Sequence, residues 1–192
     1  MGKVLVYVFD QMSDYGVSFI CHILRENAGK EVVTIGDDKS LKKTTSGFLF
    51  YPEYEVSEIE LSNIEGLILC GGYPPKMNEG LIDLIRLLHQ KKILIAAIGA
   101  SGTLSLAQAG ILENLNYTSI IERWDSKLQF EFGEVDPFPR SNNLKKRLVR
   151  DQHVITAHDM AFLDFTIEVL WKLNVFKSRH EKQNFMKLVK YA

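Results

Sequence analysis

The sequence predicts an α/β domain with a doubly wound, mostly parallel sheet, on three observations. Residues 3–9 (KVLVYVF), 66–70 (GLILC) and 93–98 (ILIAAI) are short runs with apolar residues on both faces, as strands are when helices cover both sides of a sheet. The segments between them repeat apolar residues at three and four positions, the spacing of one helix face. Strand and helix patterns then alternate along the chain, which is the order that builds parallel sheets from crossover units.

Each element has its own signal. Val17, Ile20, Cys21 and Leu24 mark a first helix, and Asn27-Ala28-Gly29 supplies its C-terminal stop. Residues 42–46 are polar and lead into 48–51, read as a short strand. Five glutamates between Glu53 and Glu65, with no Lys or Arg among them, read as a solvated connection. Leu81, Leu84, Ile85 and Leu88 form a second helical stripe. A third helix is expected from Ser101 through Leu104, Ala107 and Gln108 to Gly110. Residues 148–150 and 154–157 flank Asp151-Gln152-His153, a tight turn joining two late strands that close a sheet edge. Phe162, Phe165, Val169 and Leu173 mark a fourth helix. The final segment, with six Lys or Arg and one Glu from Lys172 onward, reads as a basic amphipathic helix carrying Phe185, Leu188 and Val189.

Composition narrows the function classes. The 192 residues are 46% apolar and 24% charged, without repeat or linker, so residues 1–192 read as one globular domain. Lys and Arg number 23 against 24 Asp and Glu, so no overall field recruits nucleic acid or an acidic membrane, and neither is expected as a partner. Two cysteines, Cys21 and Cys70, make no secreted disulfide framework. The start Met1-Gly2-Lys3 lacks a signal-peptide layout, and a cytoplasmic location is expected. No apolar run approaches the roughly 20 residues of a membrane span. None of His22, His89, His153 and His180 pairs with Asp, Glu or Cys at metal-ligand spacing, so no metal or other cofactor is expected.

In open parallel sheets, ligands sit beyond the carboxyl ends of the strands. That leaves residues 10–16, 70–75 and 99–103. The last is the most informative: a buried strand breaks into Gly99-Ala100-Ser101-Gly102-Thr103 and passes straight into a helix. Such a turn is the shape of a nucleophile elbow, and it aims free helix N–H groups at any anion above it. Its spacing fails the G-x-S-x-G form. Ser101 is a candidate serine nucleophile with His158 as base; the competing reading makes Ser101 and Asp159 helix caps and His158 a loop residue. Cys70, at the end of the middle strand beside a glycine pair, is a candidate thiol nucleophile, or else a small packing residue.

Taken together, IAAIGASGTL at 95–104 with AQAGIL at 107–112, YVFDQMSDY at 7–15, TTSG at 44–47, LCGG at 69–72 and RDQHVITA at 150–157 resemble the ThiJ/PfpI family of the class I glutamine-amidotransferase-like superfamily. The resemblance spans nearly the whole chain. It implies a flavodoxin-like fold, a homodimer, and an activity of the intracellular peptidase, amidotransferase-like, glyoxalase, deglycase or redox-chaperone kind. The departures are specific. Where that family has its elbow cysteine and a following histidine, this sequence has Gly99 and Ala100. Where it has a glutamate on the first helix, the matching residue is Gly16, and Ile120 follows Thr118-Ser119 where relatives carry His or Asn. Two readings follow. In one, a former cysteine-hydrolase site has become a pocket that holds a small carboxylate, phosphate or carbonyl ligand among Gly16, Gly71, Gly72, Tyr73, Gly99, Ala100 and Ser101. In the other, the chain is an active hydrolase with a displaced nucleophile, Cys70 or Ser101 with His158.

Overall fold

Seven strands form one sheet in the order β5-β2-β1-β6-β7-β9-β8. The computed structural model describes residues 2–75 and 79–191. The strands are β1 (Lys3–Tyr7), β2 (Glu31–Gly36), β5 (Tyr54–Glu55), β6 (Ile64–Leu69), β7 (Leu94–Ile98), β8 (Leu148–Asp151) and β9 (Val154–Ala157), and a separate hairpin pairs β3 (Lys42–Lys43) with β4 (Leu49–Phe50). All neighbours in the large sheet are parallel except β8 and β9. The predicted doubly wound architecture is therefore present.

The helices are α1 (Tyr15–Glu26), α2 (Glu79–Gln90), α3 (Gly99–Gln108), α4 (Ser126–Phe132), α5 (Phe162–Lys172) and α6 (Arg179–Tyr191). α1 packs on α5, α2 on α3, and α6 on α5. The apolar stripes land where their spacing requires: Val17, Ile20 and Leu24 of α1 and Leu81, Leu84, Ile85 and Leu88 of α2 are buried. Each such side chain removed from water contributes about 1.5–3 kcal/mol before entropy is counted. No helix among the described residues is long and apolar enough to cross a membrane.

Four details differ from the expectations set by sequence. β2, where no element is expected from the sequence, carries the β-branched run Val32-Val33-Thr34-Ile35 and pairs with β1 from Glu31 to Ile35. The acidic stretch is not simply a solvated connection: Tyr54 and Glu55 pair with Ile35 and Gly36 and extend the sheet. The polar lead-in at 42–43 is itself a strand, because Lys42 and Lys43 supply backbone to the hairpin while their side chains leave it. α3 starts at Gly99, two residues before Ser101, since the glycine adopts the turn that a capping loop would otherwise provide.

β1 lies between β2 and β6, and the chain turns to opposite sides of it in succession. The carboxyl ends of β1 and β6 therefore define the switch point where open sheets leave a crevice. β7 delivers the elbow one strand further along.

Candidate functional site

The elbow follows directly from residue size. β7 is buried at all five positions, and Ile98 still has extended geometry (φ −123°, ψ 139°). Gly99 then turns at φ +72° and is the first residue of α3. That left-handed conformation suits glycine and strains other residues. A Cβ on Gly99 would lie 2.9 Å from Gly71 Cα and 3.5 Å from Asp159 Cβ, while one on Gly102 would meet Leu69 O at 2.7 Å. The elbow is thus drawn tightly against the end of β6.

The loops after β1 and β6 are zipped together across the switch point. Ser13 N–H donates to Gly71 O (2.9 Å) and Tyr73 N–H to Gln11 O (3.2 Å), around a Met12–Gly72 bridge. Gly72 has φ +119°, and its missing Cβ would sit 2.4 Å from Gln11 O. Gly16, on the first turn of α1, faces Ile98, whose side chain lies 3.6 Å from where its Cβ would be. The fold therefore brings Gly16, Gly71, Gly72 and Gly99 to one place around the elbow, with Ala100 and Ser101 beginning α3 beside them. Tyr73 stands at the rim, half exposed: its hydroxyl donates to the Glu131 carboxylate of α4 (2.7 and 2.8 Å), and Lys127 Nζ lies 4.9 Å from its ring.

The candidate nucleophiles sit in different settings. Cys70 is 1% exposed and its Sγ donates to Tyr7 O at 3.5 Å. Burial first, then the nearby Cys21 and Asp14, push its thiol well above the ordinary range. Burial pushes Cys21 up to about 12. Both cysteines are free thiols. Ser101 is 2% exposed, within the first turn of α3. It is not the helix cap expected from sequence, because α3 begins earlier, at Gly99. His158 follows β9 with its side chain half exposed, and its Nδ1 lies 2.5 Å from Asp159 Oδ1. Among the described residues no hydrogen bond joins His158 to Ser101. Asp159 caps no α-helix either; its carboxylate accepts from Met160 N–H (2.9 Å) in a short 3-10 turn before α5.

Three features are not visible in the sequence pattern. Asp14 is 3% exposed, and its Oδ1 has no hydrogen-bond partner among the described residues. Asp159 approaches the elbow through space from the 3-10 turn after β9. Thr103 Oγ1 lies 2.7 Å from Ser119 Oγ and 2.8 Å from Gly99 O, to which it donates. Only the last has any sequence signal, a Thr-Ser pair at 118–119 in the connection after the elbow helix. Among the described residues no three His, Cys, Asp or Glu side chains gather as metal ligands.

A mostly parallel flavodoxin-like sheet with a strand-to-helix elbow at the carboxyl end of β7, flanked by a glycine pair that follows the neighbouring strand β6, defines the class of this protein. A family model described as the DJ-1/PfpI family matches residues 2–172, and the chain belongs to that family. Its relatives include two from Bacillus subtilis (strain 168). One, named uncharacterized protease YoaZ, is 28% identical over 185 residues, covering 91% of this chain and 84% of that protein. The other, uncharacterized protease YdeA, is 27% identical over 172 residues, covering 88% and 82%. Among solved structures, a ThiJ/PfpI family protein from Bacillus anthracis superposes with a TM-score of 0.75 at 27% identity, covering 98% of this chain and 90% of that one. A DJ-1 superfamily protein from Agrobacterium tumefaciens superposes at 0.78 with 20% identity, covering 99% and 100%.

Proposed function

We propose that this DJ-1/PfpI protein is a binding member of its family, holding a small carboxylate, phosphate or carbonyl ligand at the elbow without cleaving a covalent bond. The observation that carries this reading is the packing at Gly99: φ is +72°, and the direction of a side chain is closed at 2.9 Å by Gly71 Cα. A nucleophile needs both a side chain and room above it. The first N–H groups of α3, at Ala100 and Ser101, with the Gly72 amide, are the donors offered to an anion or polarised carbonyl. Gly16 supplies no carboxylate at its own position on the first helix, where one could otherwise poise a nucleophile. In this reading Cys70 packs the sheet end and Ser101 packs α3.

The reading includes one domain over residues 1–192 and a homodimer in the cytoplasm. Exposed Phe48, Leu49 and Tyr51, on and beside the β3–β4 hairpin, support a self-association surface.

The protease names of the relatives favour the hydrolase alternative, so the test covers both. Purified protein is titrated with acetate, phosphate and simple aldehydes while its melting temperature is followed, since a ligand selective for the native state must raise it. The same preparation is assayed on peptide, amide and glycated substrates. Ligand-dependent stabilisation without turnover supports binding. Turnover that disappears in Cys70→Ala or Ser101→Ala overturns it.

A further inference from the structure

A cavity of about 200 Å³ opens at the carboxyl end of β9, beside the elbow and, apart from His158, lined by residues that belong to neither the elbow nor the glycine pair. Its lining includes three consecutive cations, Lys145, Lys146 and Arg147, with His158 hydrogen-bonded through its backbone to Arg147, and Glu122 as the acidic member. Its floor includes Thr118 and Ser119, 2% and 7% exposed. We infer that this recess is a binding site for a compact dianion, either a phosphate group or a small dicarboxylate.

The cations are presented by a fastened turn. Leu144 N–H donates to Tyr117 O (2.9 Å), Thr118 Oγ1 donates to Lys146 O (2.5 Å), and His158 N–H donates to Arg147 O (2.9 Å). Within it Lys145 has φ +50°, and its N–H donates to Asn143 Oδ1 at 3.0 Å. The backbone at these charges is therefore set before any ligand arrives, which lowers the ordering cost of binding.

Two of the charges are also available. Among the described residues neither Lys145 nor Lys146 makes an ion pair, while the Arg147 guanidinium donates to Met160 O (2.9 Å) and lies 3.6 Å from Asp164. With Arg147 paired to Asp164, Lys145 and Lys146 face the single lining carboxylate, Glu122, and leave the recess net positive, as an anion requires. The recess volume of about 200 Å³ accommodates a phosphate or two carboxylates with a short carbon link. Ser119 joins the recess to the elbow: its Oγ accepts from Ile121 N–H (3.1 Å) and contacts Thr103 Oγ1, which donates to Gly99 O. The recess stands on its own residues and does not depend on what the elbow holds.

The test is a ¹H–¹⁵N titration of the full chain at pH 7.5 with inorganic phosphate and, separately, malonate, against chloride at matched ionic strength. Saturable shifts at Ser119, Lys146 and His158 are expected, and which anion gives them names the source of the dianion. Lys146→Gln should weaken that binding roughly tenfold, as loss of one charge-assisted contact does, while Lys187→Gln on the exposed face of α6 leaves it unchanged. Shifts confined to Ala100 and Ser101 would overturn this site while sparing the elbow reading. Shifts that chloride reproduces, or that Lys146→Gln leaves untouched, would overturn it as well.

Discussion

Gly99 and Gly71 meet at a distance that leaves no place for a side chain: a Cβ on Gly99 would lie 2.9 Å from Gly71 Cα, closer than real Cβ contacts come. The strand-to-helix turn and the glycine pair of the neighbouring strand are locked into one unit. The elbow turn is therefore made by a glycine packed against a glycine.

Substitution of Gly99 tests this lock. Gly99→Ala must accept φ +72° and displace Gly71, so a loss of about 1–3 kcal/mol is expected in urea unfolding. Gly99→Cys should lose a similar amount and gain no hydrolysis, because its thiol has neither room nor a neighbouring carboxylate at position 16. Wild-type stability in both variants would show that the elbow is looser than this packing requires.

The amino-terminal end of the sheet makes stability depend on pH. His153 Nε2 lies 3.0 Å from His89 Nδ1, with ring centroids 4.8 Å apart. Burial lowers His89, and burial followed by the charges of His89, Lys172 and Lys92 lowers His153, both from the usual 6.5. The unfolded chain therefore binds more protons as pH falls below that value. Stability present above about pH 6.5 is lost as pH drops through the lowered native values. Denaturant unfolding between pH 8 and pH 5 should show the decline, and His89→Gln should flatten it. A profile level across that range would contradict the assignment.

Native Cys70 should resist alkylation. The thiolate is the reactive form, and burial disfavours it. With limiting iodoacetamide near pH 7, peptide mass spectrometry should find Cys70 modified far more slowly than a free thiol and at full rate only after unfolding. Cys70→Ala should cost about 1 kcal/mol of packing. Rapid, selective modification of Cys70 in the native protein would instead point to a working nucleophile.

Ser119→Ala removes the hydroxyl between Thr103 Oγ1 and Ile121 N–H. Two buried groups then lose a partner, and a destabilisation of about 1–3 kcal/mol follows. Ser119→Thr keeps the hydroxyl and should recover part of it. Unfolding midpoints of the three proteins give the answer.

Much of this arrangement is legible in the amino-acid sequence. Unbroken apolar runs place β1, β6 and β7, because a strand covered on both faces needs no polar alternation, and the small residues after Ile98 mark the elbow. The late hairpin is equally clear from Asp151-Gln152-His153, where Gln152 takes φ +51°. β2 is legible in the β-branched run at residues 32–35, whereas β5 is obscure because its two residues, Tyr54 and Glu55, become a strand only by pairing with Ile35 and Gly36. At the site, residues adjacent in sequence are legible and residues adjacent only in space are not. Asp159 reaches Gly99 from the 3-10 turn after β9, and the contact between Thr103 and Ser119 spans a connection whose course depends on tertiary packing. The charges at 145–147 gain meaning only when the fold brings them together with Thr118, Ser119 and His158.

The central claim is that the elbow binds through backbone amides and has no nucleophile. The most direct measurement is a ¹H–¹⁵N spectrum of the native chain titrated with a small carboxylate such as acetate, followed by intact-protein mass. Saturable shifts centred on Gly72, Ala100 and Ser101, with mass unchanged after exposure to an activated ester or a reactive aldehyde, are the predicted result. Amides that stay still through the titration, or a stoichiometric adduct on Cys70 or Ser101, would contradict it.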